Sequence, residues 1–429
     1  MRDFLATPGS DSFAASKGRS SLGYCTNVHA GHDLASTIAN LRRYAVDVRS
    51  QLNVPELGIG LWLSADAARE AASGARARSG LRTGVSQLHV MTRSPLRDEL
   101  NQLGLRVFTL NGFPYSNFHQ PVVKHRVYEP DWADPRRLEY TLDLITVLAS
   151  LIDEGEEGSI STLPIGWPSK TGRPINQRVA AAQLRQVAKT LERLEQETGR
   201  LIHLDLEPEP GCIIGSSLDA ALWVDWLLTG NAGEDAVIRR YLRICHDVCH
   251  AAVVFDDQYV AMERYRLAGW QIGKVQISSA PCVKFDELSP AERARAWDEL
   301  KGFVEPRYLH QTYVNTDRVR AFEDLPEAIA SVNTGEKGSE EGESPRGEWR
   351  VHFHVPVHLT RIGALGTSQH QIAQCLKLAR KMGVRHYEVE TYAWTVLPTE
   401  LAPASLATGI ADELRWVMNL AREMDAKQG

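Results

Sequence analysis

The segment Leu201-Ile-His-Leu-Asp-Leu-Glu-Pro-Glu-Pro210 decides the fold. Apolar residues occupy positions 202, 204 and 206, and they alternate with His203, Asp205 and Glu207, so the two sets point to opposite faces of a predicted strand. Helical patterns at 176–198 and 218–228 flank this strand, and helices between strands indicate a parallel sheet that is covered on both faces. The polar face is then buried, and buried His, Asp and Glu side chains must be paired, hydrogen-bonded or bound to a metal ion.

The same alternation of strand and helix patterns continues along the chain. One example is the predicted helix from Asp33 to Leu52, which begins at a capping residue and carries apolar residues at helical spacing. Nine segments fit strands, which predicts an α/β fold: a single (β/α)8 (TIM) barrel domain over residues 1–429, with one of the nine strands accessory or misassigned. The predicted strands are Leu22–Val28, Leu57–Leu63, Arg106–Leu110, Ser159–Leu163, Leu201–Leu206, Arg243–His246, Gln271–Ile277, Trp349–Val355 and His386–Thr391.

An insertion over residues 280–347 precedes the penultimate predicted strand. It contains a hairpin candidate near Arg307–Val314 and a charged, glycine-rich run at 334–347, which we expect to be a mobile loop. Residues 1–20 are also expected to be flexible, and they lack the apolar run of a signal peptide.

Composition narrows the function classes. The chain has 429 residues with 43% hydrophobic content and a net charge of −6, which argues against a nucleic-acid partner. No apolar run is long enough for a membrane span. Six cysteines without a CxxC pair favour reduced thiols, so we expect a cytoplasmic protein.

Three further predicted strands carry polar side chains at alternate positions. These side chains are Lys274, Gln276 and Ser278 in one strand, His352 and His354 in the next, and His386, Glu388 and Glu390 in the last. Because the C-terminal ends of barrel strands meet at one mouth, where barrel active sites lie, we expect these groups to converge there. For any single strand, the same alternation could come from an antiparallel sheet with one face exposed to solvent. Four such strands together favour the barrel.

The segment Cys245-His-Asp-Val-Cys-His250 follows the sixth predicted strand and adds two more polar groups. Asp247 and His250 are three residues apart, so they lie on one side of a turn that leaves the strand. Carboxylates and imidazoles gathered in this way suit a divalent ion such as Mn²⁺, Zn²⁺, Fe²⁺ or Mg²⁺.

Residues near the ends of other strands are candidates for substrate binding. They are Asn27, His29, Asn111, Tyr115, His119 and Trp394. For the first-strand residues a capping or packing role is the alternative, and for the segment after the third strand a rigid or solvated loop. This segment is locally basic at Lys124, His125 and Arg126, which indicates an anion-binding loop or, more simply, a solvated one. Trp394 could equally pack against the C-terminal helix.

At these residues the sequence resembles the xylose-isomerase-like superfamily of barrels, which includes sugar epimerases and endonuclease IV. The resemblance is carried by Ile244–Ala251, Leu206-Glu207, Glu390-Thr391 and the His352-x-His354 pair. It implies metal ligands, and those carried over are Glu207, Asp247, Gln276, His352, His354 and Glu390. The departure is at Gln276, because the superfamily has a histidine there and glutamine is a weaker ligand.

A narrower resemblance covers nearly the whole chain. Four segments look like the EboE family of bacterial metabolite traffic proteins: Gly23–His29, Leu110–Tyr115, Val123–Trp132 and Ser159–Pro164. This resemblance implies a link to secondary metabolism and to other proteins of the same pathway, but no known reaction.

Three hypotheses of function follow. The first is a metal-dependent isomerase or epimerase of a sugar or cyclitol derivative, with Glu207 and Glu390 as ligands that double as base and acid and with His250 holding a substrate hydroxyl. The second is metal-dependent hydrolysis of a phosphate ester by two or three ions, with His250, His352 and His354 as extra ligands. The third is a non-catalytic metabolite-binding protein that has lost the metal, as Gln276 suggests.

Overall fold

The computed structural model describes residues 20–77, 94–116, 120–168, 174–333, 344–395, 397 and 403–426. Eight parallel strands close into a barrel in the order β1-β14-β7-β6-β5-β4-β3-β2. These strands are β1 (Ser21–Cys25), β2 (Leu57–Trp62), β3 (Leu105–Asn111), β4 (Glu157–Thr162), β5 (Leu201–Leu206), β6 (Leu242–Asp247), β7 (Ile272–Ile277) and β14 (His386–Val389). The predicted (β/α)8 barrel is therefore confirmed.

Helices follow the barrel strands and cover the outer face of the barrel, except α11 (Pro290–Lys301) and α12 (Leu325–Asn333), which belong to the insertion between β7 and β14. They are α1 (Leu34–Asn40), α2 (Val46–Leu52), α3 (Ala65–Ala77), α4 (Pro95–Leu103), α5 (Pro135–Leu151), α6 (Gln177–Thr198), α7 (Ser217–Leu227), α8 (Ala232–Tyr241), α9 (Val248–Val253), α10 (Gln258–Leu267), α11 (Pro290–Lys301), α12 (Leu325–Asn333), α13 (His370–Lys381) and α14 (Leu406–Ala426). The longest, α6, begins where the Asn176 side chain accepts a hydrogen bond from Val179 N (3.3 Å) and ends at Gly199, whose φ of +67° favours glycine. Among the described residues, no helix is both long enough and apolar enough to cross a membrane.

The insertion between β7 and β14 builds a second sheet of six strands in the order β10-β9-β11-β8-β13-β12. Its strands are β8 (Pro281–Lys284), β9 (Thr312–Asn315), β10 (Val319–Phe322), β11 (Glu348–Val351), β12 (Arg361–Ile362) and β13 (Leu365–Thr367). All the strand pairs of this sheet are antiparallel, and apolar side chains of the insertion form a core of their own around Phe285, Trp349 and Phe353.

The second sheet identifies the accessory strand. The strand predicted at Trp349–Val355 is β11, which pairs with β8 and β9 and not with the barrel, so the insertion continues beyond residue 347. The hairpin expected near Arg307–Val314 lies a few residues later, as β9 and β10. The predictions for residues 1–19 and for most of the 334–347 loop (334–343) lie outside the described residues.

The barrel interior is ionic. Lys274 and Glu388 form a fully buried ion pair, and His203 Nδ1 lies 2.6 Å from Asp205 Oδ1. Gly60 and Gly273 make room for this layer, because a Cβ on either would collide with the carboxylate of Glu388 or Asp205. A charged layer therefore fills the barrel directly below the mouth.

Candidate metal centre

The ends of β5, β6 and β14 bring three carboxylates together at the barrel mouth. Glu207 follows β5, Asp247 ends β6 and Glu390 follows β14, and all three are buried. One oxygen from each lies within 4.8 Å of the others. The alternation along β5 and β14 and the Asp247–His250 segment after the sixth predicted strand thus lead to one cluster.

Hydrogen bonds fix Glu390 and Asp247 in place. Glu390 Oε1 accepts from the side-chain amides of Asn27 (2.7 Å) and Asn111 (3.0 Å), and its Oε2 accepts from Gln276 Nε2 (3.0 Å). Asp247 Oδ1 accepts from Ser278 Oγ (2.7 Å) and from the backbone N–H of His250 (2.8 Å). Both carboxylates are therefore oriented before any ligand arrives.

Two carboxylate oxygens of the cluster accept no hydrogen bond from the described residues. Glu207 Oε2 and Asp247 Oδ2 are buried and have no hydrogen-bond partner within the described part of the chain. Unsatisfied buried polar atoms are costly and point to a missing ion, water or ligand. The cluster thus presents free carboxylate oxygens to one small space.

Burial and mutual repulsion set the protonation of these carboxylates. Burial, together with the charges of Glu390 and Asp247, raises the pKa of Glu207 well above its usual value. Burial and the charges of Glu388 and Asp247 raise the pKa of Glu390 to about 7. For Asp247, burial is outweighed by His250, His354 and the donated hydrogen bonds, so its pKa is lowered. Without a cation the cluster has to hold protons to limit its charge.

Three histidines share one tautomer. The Nδ1 atoms of His250 and His354 lie 2.8 Å from the backbone carbonyls of Pro208 and Glu390, so each must carry the hydrogen. His352 Nδ1 lies 2.7 Å from Gln311 Oε1, and that oxygen is identified because Gln311 Nε2 donates to the Pro210 carbonyl. In the neutral form of each ring, Nε2 therefore carries no hydrogen and has a free lone pair.

The same histidines differ in charge. Burial lowers the pKa of His354 to about 4, and burial with the neighbouring His250 lowers that of His352 well below its usual value. For His250, burial is outweighed by the charges of Asp247 and Glu209, so its pKa is raised. Neutral imidazoles with a free Nε2 are the form in which histidine binds metal ions.

These lone pairs extend the carboxylate cluster into overlapping ligand groups. The groups are Glu207 with Asp247 and Glu390, Asp247 with His250 and His354, Glu209 with His250 and His352, and Cys249 with His352 and His354, each with its ligand atoms within 4.8 Å of one another. The donor set consists of carboxylate oxygens and imidazole nitrogens, which suits a divalent ion. The residues present therefore fit the ion that the resemblance implies.

Glu209 is a further carboxylate of the site that the strand pattern alone did not single out. Its Oε2 lies 3.3 Å from His250 Nε2, and its Oε1 accepts a hydrogen bond from the Tyr128 hydroxyl (2.8 Å). The signal was present, since Glu207 and Glu209 continue the alternation of β5, but the strand ends at Leu206 and prolines follow. A loop residue after a strand end can thus face the same site.

A cleft of about 540 Å³, counting the space that opens to solvent, lies over these groups. Its base is polar and its walls are mainly aromatic and aliphatic. The lining residues are Asn27, Asn111, Phe113, Pro114, Lys124, Val127, Tyr128, Glu207, Glu209, His250, Tyr308, Leu309, His352, His354, Glu390 and Tyr392. The second sheet contributes part of this lining, because Tyr308, Leu309, His352 and His354 belong to the insertion.

Several predicted substrate contacts lie elsewhere. His29 Nε2 is 2.9 Å from the Tyr24 hydroxyl and its ring stacks on Tyr44, so it does not line the cleft. Trp394 packs in the core, and its indole N–H donates to Glu413 (3.3 Å) on α14. Tyr115 lines a neighbouring cleft and packs edge-on against Tyr140. The structure does not describe His119.

Two more sequence expectations are changed by pairing. Gln276 donates its amide N–H to Glu390, while its Oε1 has no hydrogen-bond partner among the described residues, so only that weak donor atom is available to an ion. In the basic loop, Lys124 pairs with Asp324 (2.6 Å) and His125 with Glu323 (2.9 Å). These two basic groups are therefore already neutralised.

Comparison with known proteins gives only distant structural similarity. No family model and no curated sequence matches the chain. Among solved structures, an L-ribulose 3-epimerase has a TM-score of 0.46 at 11% identity, with 95% of this chain and 96% of that chain covered. A xylose isomerase-like TIM barrel protein from Mycobacterium smegmatis in complex with magnesium has a TM-score of 0.47 at 11% identity, covering 95% and 98%.

An AP endonuclease of family 2 from Brucella melitensis is more distant, with a TM-score of 0.34 at 14% identity, covering 60% of this chain and 78% of that chain. These similarities are too remote to carry an argument about activity. The barrel follows from the strand order itself, and the resemblance to the EboE family remains a prediction from the sequence.

Proposed function

We propose that this protein is a divalent-metal-dependent isomerase or epimerase that acts on a polyhydroxylated small molecule, such as a sugar or cyclitol derivative. The observation that supports this most is the carboxylate cluster with its free, buried oxygens on Glu207 and Asp247. Glu207, Asp247, Glu390 and His354 would hold the ion, with Gln276 and His352 as weaker or more remote donors. A bound divalent ion would bind adjacent substrate oxygens and polarise a carbonyl group.

The protein's own carboxylates would move the proton. One of Glu207 and Glu390 removes a proton from the carbon beside the carbonyl, and the electron pair of the broken C–H bond passes to the carbonyl oxygen. The other, protonated, returns a proton to the same carbon as the electron pair comes back from the oxygen, which gives the epimer. In an isomerisation it protonates the former carbonyl carbon instead, while the hydroxyl proton of the first carbon passes to the former carbonyl oxygen and the first carbon becomes the carbonyl. In the metal-free cluster the pKa of Glu390 is raised to about 7, and a bound divalent ion would lower it, which favours the ionised, proton-accepting form at neutral pH.

Other residues of the cleft would bind and orient the substrate. Asn27 and Asn111 lie at the base beside Glu390, and the His250 side chain faces the same space, where it would hold a substrate hydroxyl. Phe113 and Tyr128 form an apolar wall that would exclude water from one face of the substrate. If the EboE resemblance holds, the substrate belongs to secondary metabolism.

The test combines metal content with proton exchange. Protein purified without chelators is analysed for metals, then incubated with ketoses and polyhydroxylated cyclohexanones in D2O. We expect at least about one divalent ion per chain and deuterium at the carbon beside the carbonyl, both reduced in Glu207→Gln and Glu390→Gln. Glu157→Gln, at the opposite end of the barrel, is the control. Wild type without metal uptake or exchange would contradict the proposal and favour a binding protein.

A second candidate is a metal-dependent phosphoester hydrolase. It is favoured by the second ligand group, Glu209 with His250 and His352, which shares His250 with the group that includes Asp247. Two neighbouring ions could stabilise both the attacking and the leaving oxygen of a phosphate ester. Two ions per chain with release of phosphate from a panel of sugar phosphates would favour this candidate, and one ion with carbon-bound exchange would favour the first.

A further inference from the structure

Gln311 connects three parts of the mouth from a fully buried position. It lies immediately before β9 of the second sheet. Its Nε2 donates to the Pro210 carbonyl (2.9 Å) and to the Tyr128 hydroxyl (2.9 Å), and its Oε1 accepts from His352 Nδ1 (2.7 Å). All three partners lie on segments far apart in sequence.

These contacts leave the amide one orientation. Both amide hydrogens are used, because one points to a carbonyl oxygen, which can only accept, and the other to Tyr128. The remaining atom at His352 must then be the oxygen, which requires hydrogen on His352 Nδ1. His352 Nε2, which has no hydrogen-bond partner in the described chain, is left as a lone pair that faces the cluster.

The same amide also fixes Glu209 through Tyr128. The tyrosine hydroxyl has one hydrogen, and since it accepts from Gln311 it donates that hydrogen to Glu209 Oε1 (2.8 Å). Glu209 Oε2 then lies 3.3 Å from His250 Nε2, whose hydrogen is on Nδ1. A positive charge between these two atoms, either a proton on His250 Nε2 or a metal ion, makes the contact favourable.

We propose that Gln311 is a positioning residue of the metal centre: its amide sets the tautomer of His352 and, through Tyr128, the orientation of Glu209, so that both present free donor atoms to the same ion. This inference rests on the proposed function in that it takes the cluster to bind a metal. Gln311 touches neither ion nor substrate and acts through its two neighbours.

The chain contains a matched control. Gln258, also fully buried, accepts with Oε1 from His246 Nε2 (2.7 Å) and donates with Nε2 to Gln371 Oε1 (2.9 Å). It therefore fixes the tautomer of another buried histidine, but in the opposite sense and outside the cleft. A variant at Gln258 reports what the loss of a buried glutamine–histidine bond does on its own.

The experiment first uses metal-free protein labelled with ¹⁵N-histidine. Long-range ¹H–¹⁵N correlation spectra show which ring nitrogen carries hydrogen. We expect His352 to carry it on Nδ1 in wild type and in Gln258→Met, and to lose that preference in Gln311→Met. Gln311→Asn, which is shorter by one methylene, should also lose the preference for hydrogen on His352 Nδ1. This variant replaces Gln311→Met in the experiment if the methionine variant does not fold. Gln311→Glu, which retains an acceptor, should keep hydrogen on Nδ1.

Cobalt binding is the second readout. Co²⁺ added to the apoprotein is followed by its visible absorption, and we expect about 10- to 100-fold weaker affinity in Gln311→Met but not in Gln258→Met. An unchanged His352 tautomer in Gln311→Met and Gln311→Asn would overturn the proposal. So would a changed tautomer with wild-type Co²⁺ affinity. If wild type binds no Co²⁺, the proposed function fails, while the tautomer result still stands by itself.

Discussion

His354 Nε2 lies 3.9 Å from Asp247 Oδ2, and neither atom has a hydrogen-bond partner among the residues that the structure describes. The histidine hydrogen is on Nδ1, where it is donated to the Glu390 carbonyl (2.8 Å). Two lone pairs therefore face each other in a buried pocket. A divalent ion bound between them would satisfy both atoms and offset the surrounding negative charge.

The first prediction concerns metal removal. An ion that binds only the folded protein adds about 2.7 kcal/mol at a concentration of 100 times its Kd. We expect chelation to lower the Tm of wild type by several degrees, as measured by calorimetry, and to have little effect on Asp247→Asn, which carries less metal. Asp66→Asn, an exposed carboxylate, is the control. An equal response of wild type and Asp247→Asn to the chelator would count against the ion site.

The second prediction concerns pH. Burial and the charges of Glu388 and Asp247 raise the pKa of Glu390 from 4.5 to about 7, so between these values the metal-free folded state binds a proton that the unfolded state does not. The contribution of Glu390 to the free energy of unfolding should therefore fall as pH rises from 4.5 to 7 and level off above, by about 1.4 kcal/mol for each pKa unit. Glu390→Gln should remove this part of the slope.

Urea unfolding of the apoprotein across this pH range measures the effect. Glu413 provides a useful comparison, because burial also raises its pKa to about 7 although it lies outside the cleft. The slope that remains in Glu390→Gln should fall further when Glu413 is also changed to Gln. A slope that Glu390→Gln leaves as in wild type would contradict the assigned protonation.

The barrel could be predicted from sequence because its signals are local. The barrel strands are short runs rich in apolar residues, some of them with polar residues at alternate positions, and helices of ordinary pattern separate the strands. The second sheet was largely missed, since strands such as Arg361–Ile362 and Leu365–Thr367 are too short to show a period.

The site was predictable only where it continues a strand. Glu207 and Glu390 extend the alternation of β5 and β14, and Asp247 lies at the end of β6, whereas Tyr128 and Gln311 meet across 183 residues of chain. Nothing local marks either residue. His29 and Trp394 have the chemistry of substrate contacts, but packing against Tyr44 and Glu413 takes them out of the cleft. Tertiary packing, which no periodicity shows, decides such cases.

The third prediction separates two residues that end the first strand. Asn27 donates to Glu390 Oε1 (2.7 Å), so Asn27→Ala should raise the pKa of Glu390 further and weaken divalent-ion binding. The expected loss is about 10-fold or more, as for other groups that orient a ligand. His29→Gln should leave ion affinity unchanged, because His29 contacts Tyr24 and Tyr44. Isothermal titration of Mn²⁺ into both variants checks this, and similar losses in the two would contradict it.

The fourth prediction concerns the ion pair below the site. Lys274 and Glu388 are fully buried and oppositely charged, and Ser161 Oγ lies 3.4 Å from the ammonium group. Lys274→Met removes one partner and leaves a carboxylate buried without its counter-charge, a change that costs about 3–5 kcal/mol in comparable pairs. The double variant Lys274→Met/Glu388→Met removes both charges together, so it should recover part of that loss in urea unfolding at pH 7. If the single variant were as stable as wild type, the barrel interior would be solvated by water and the ionic layer would not depend on this pair.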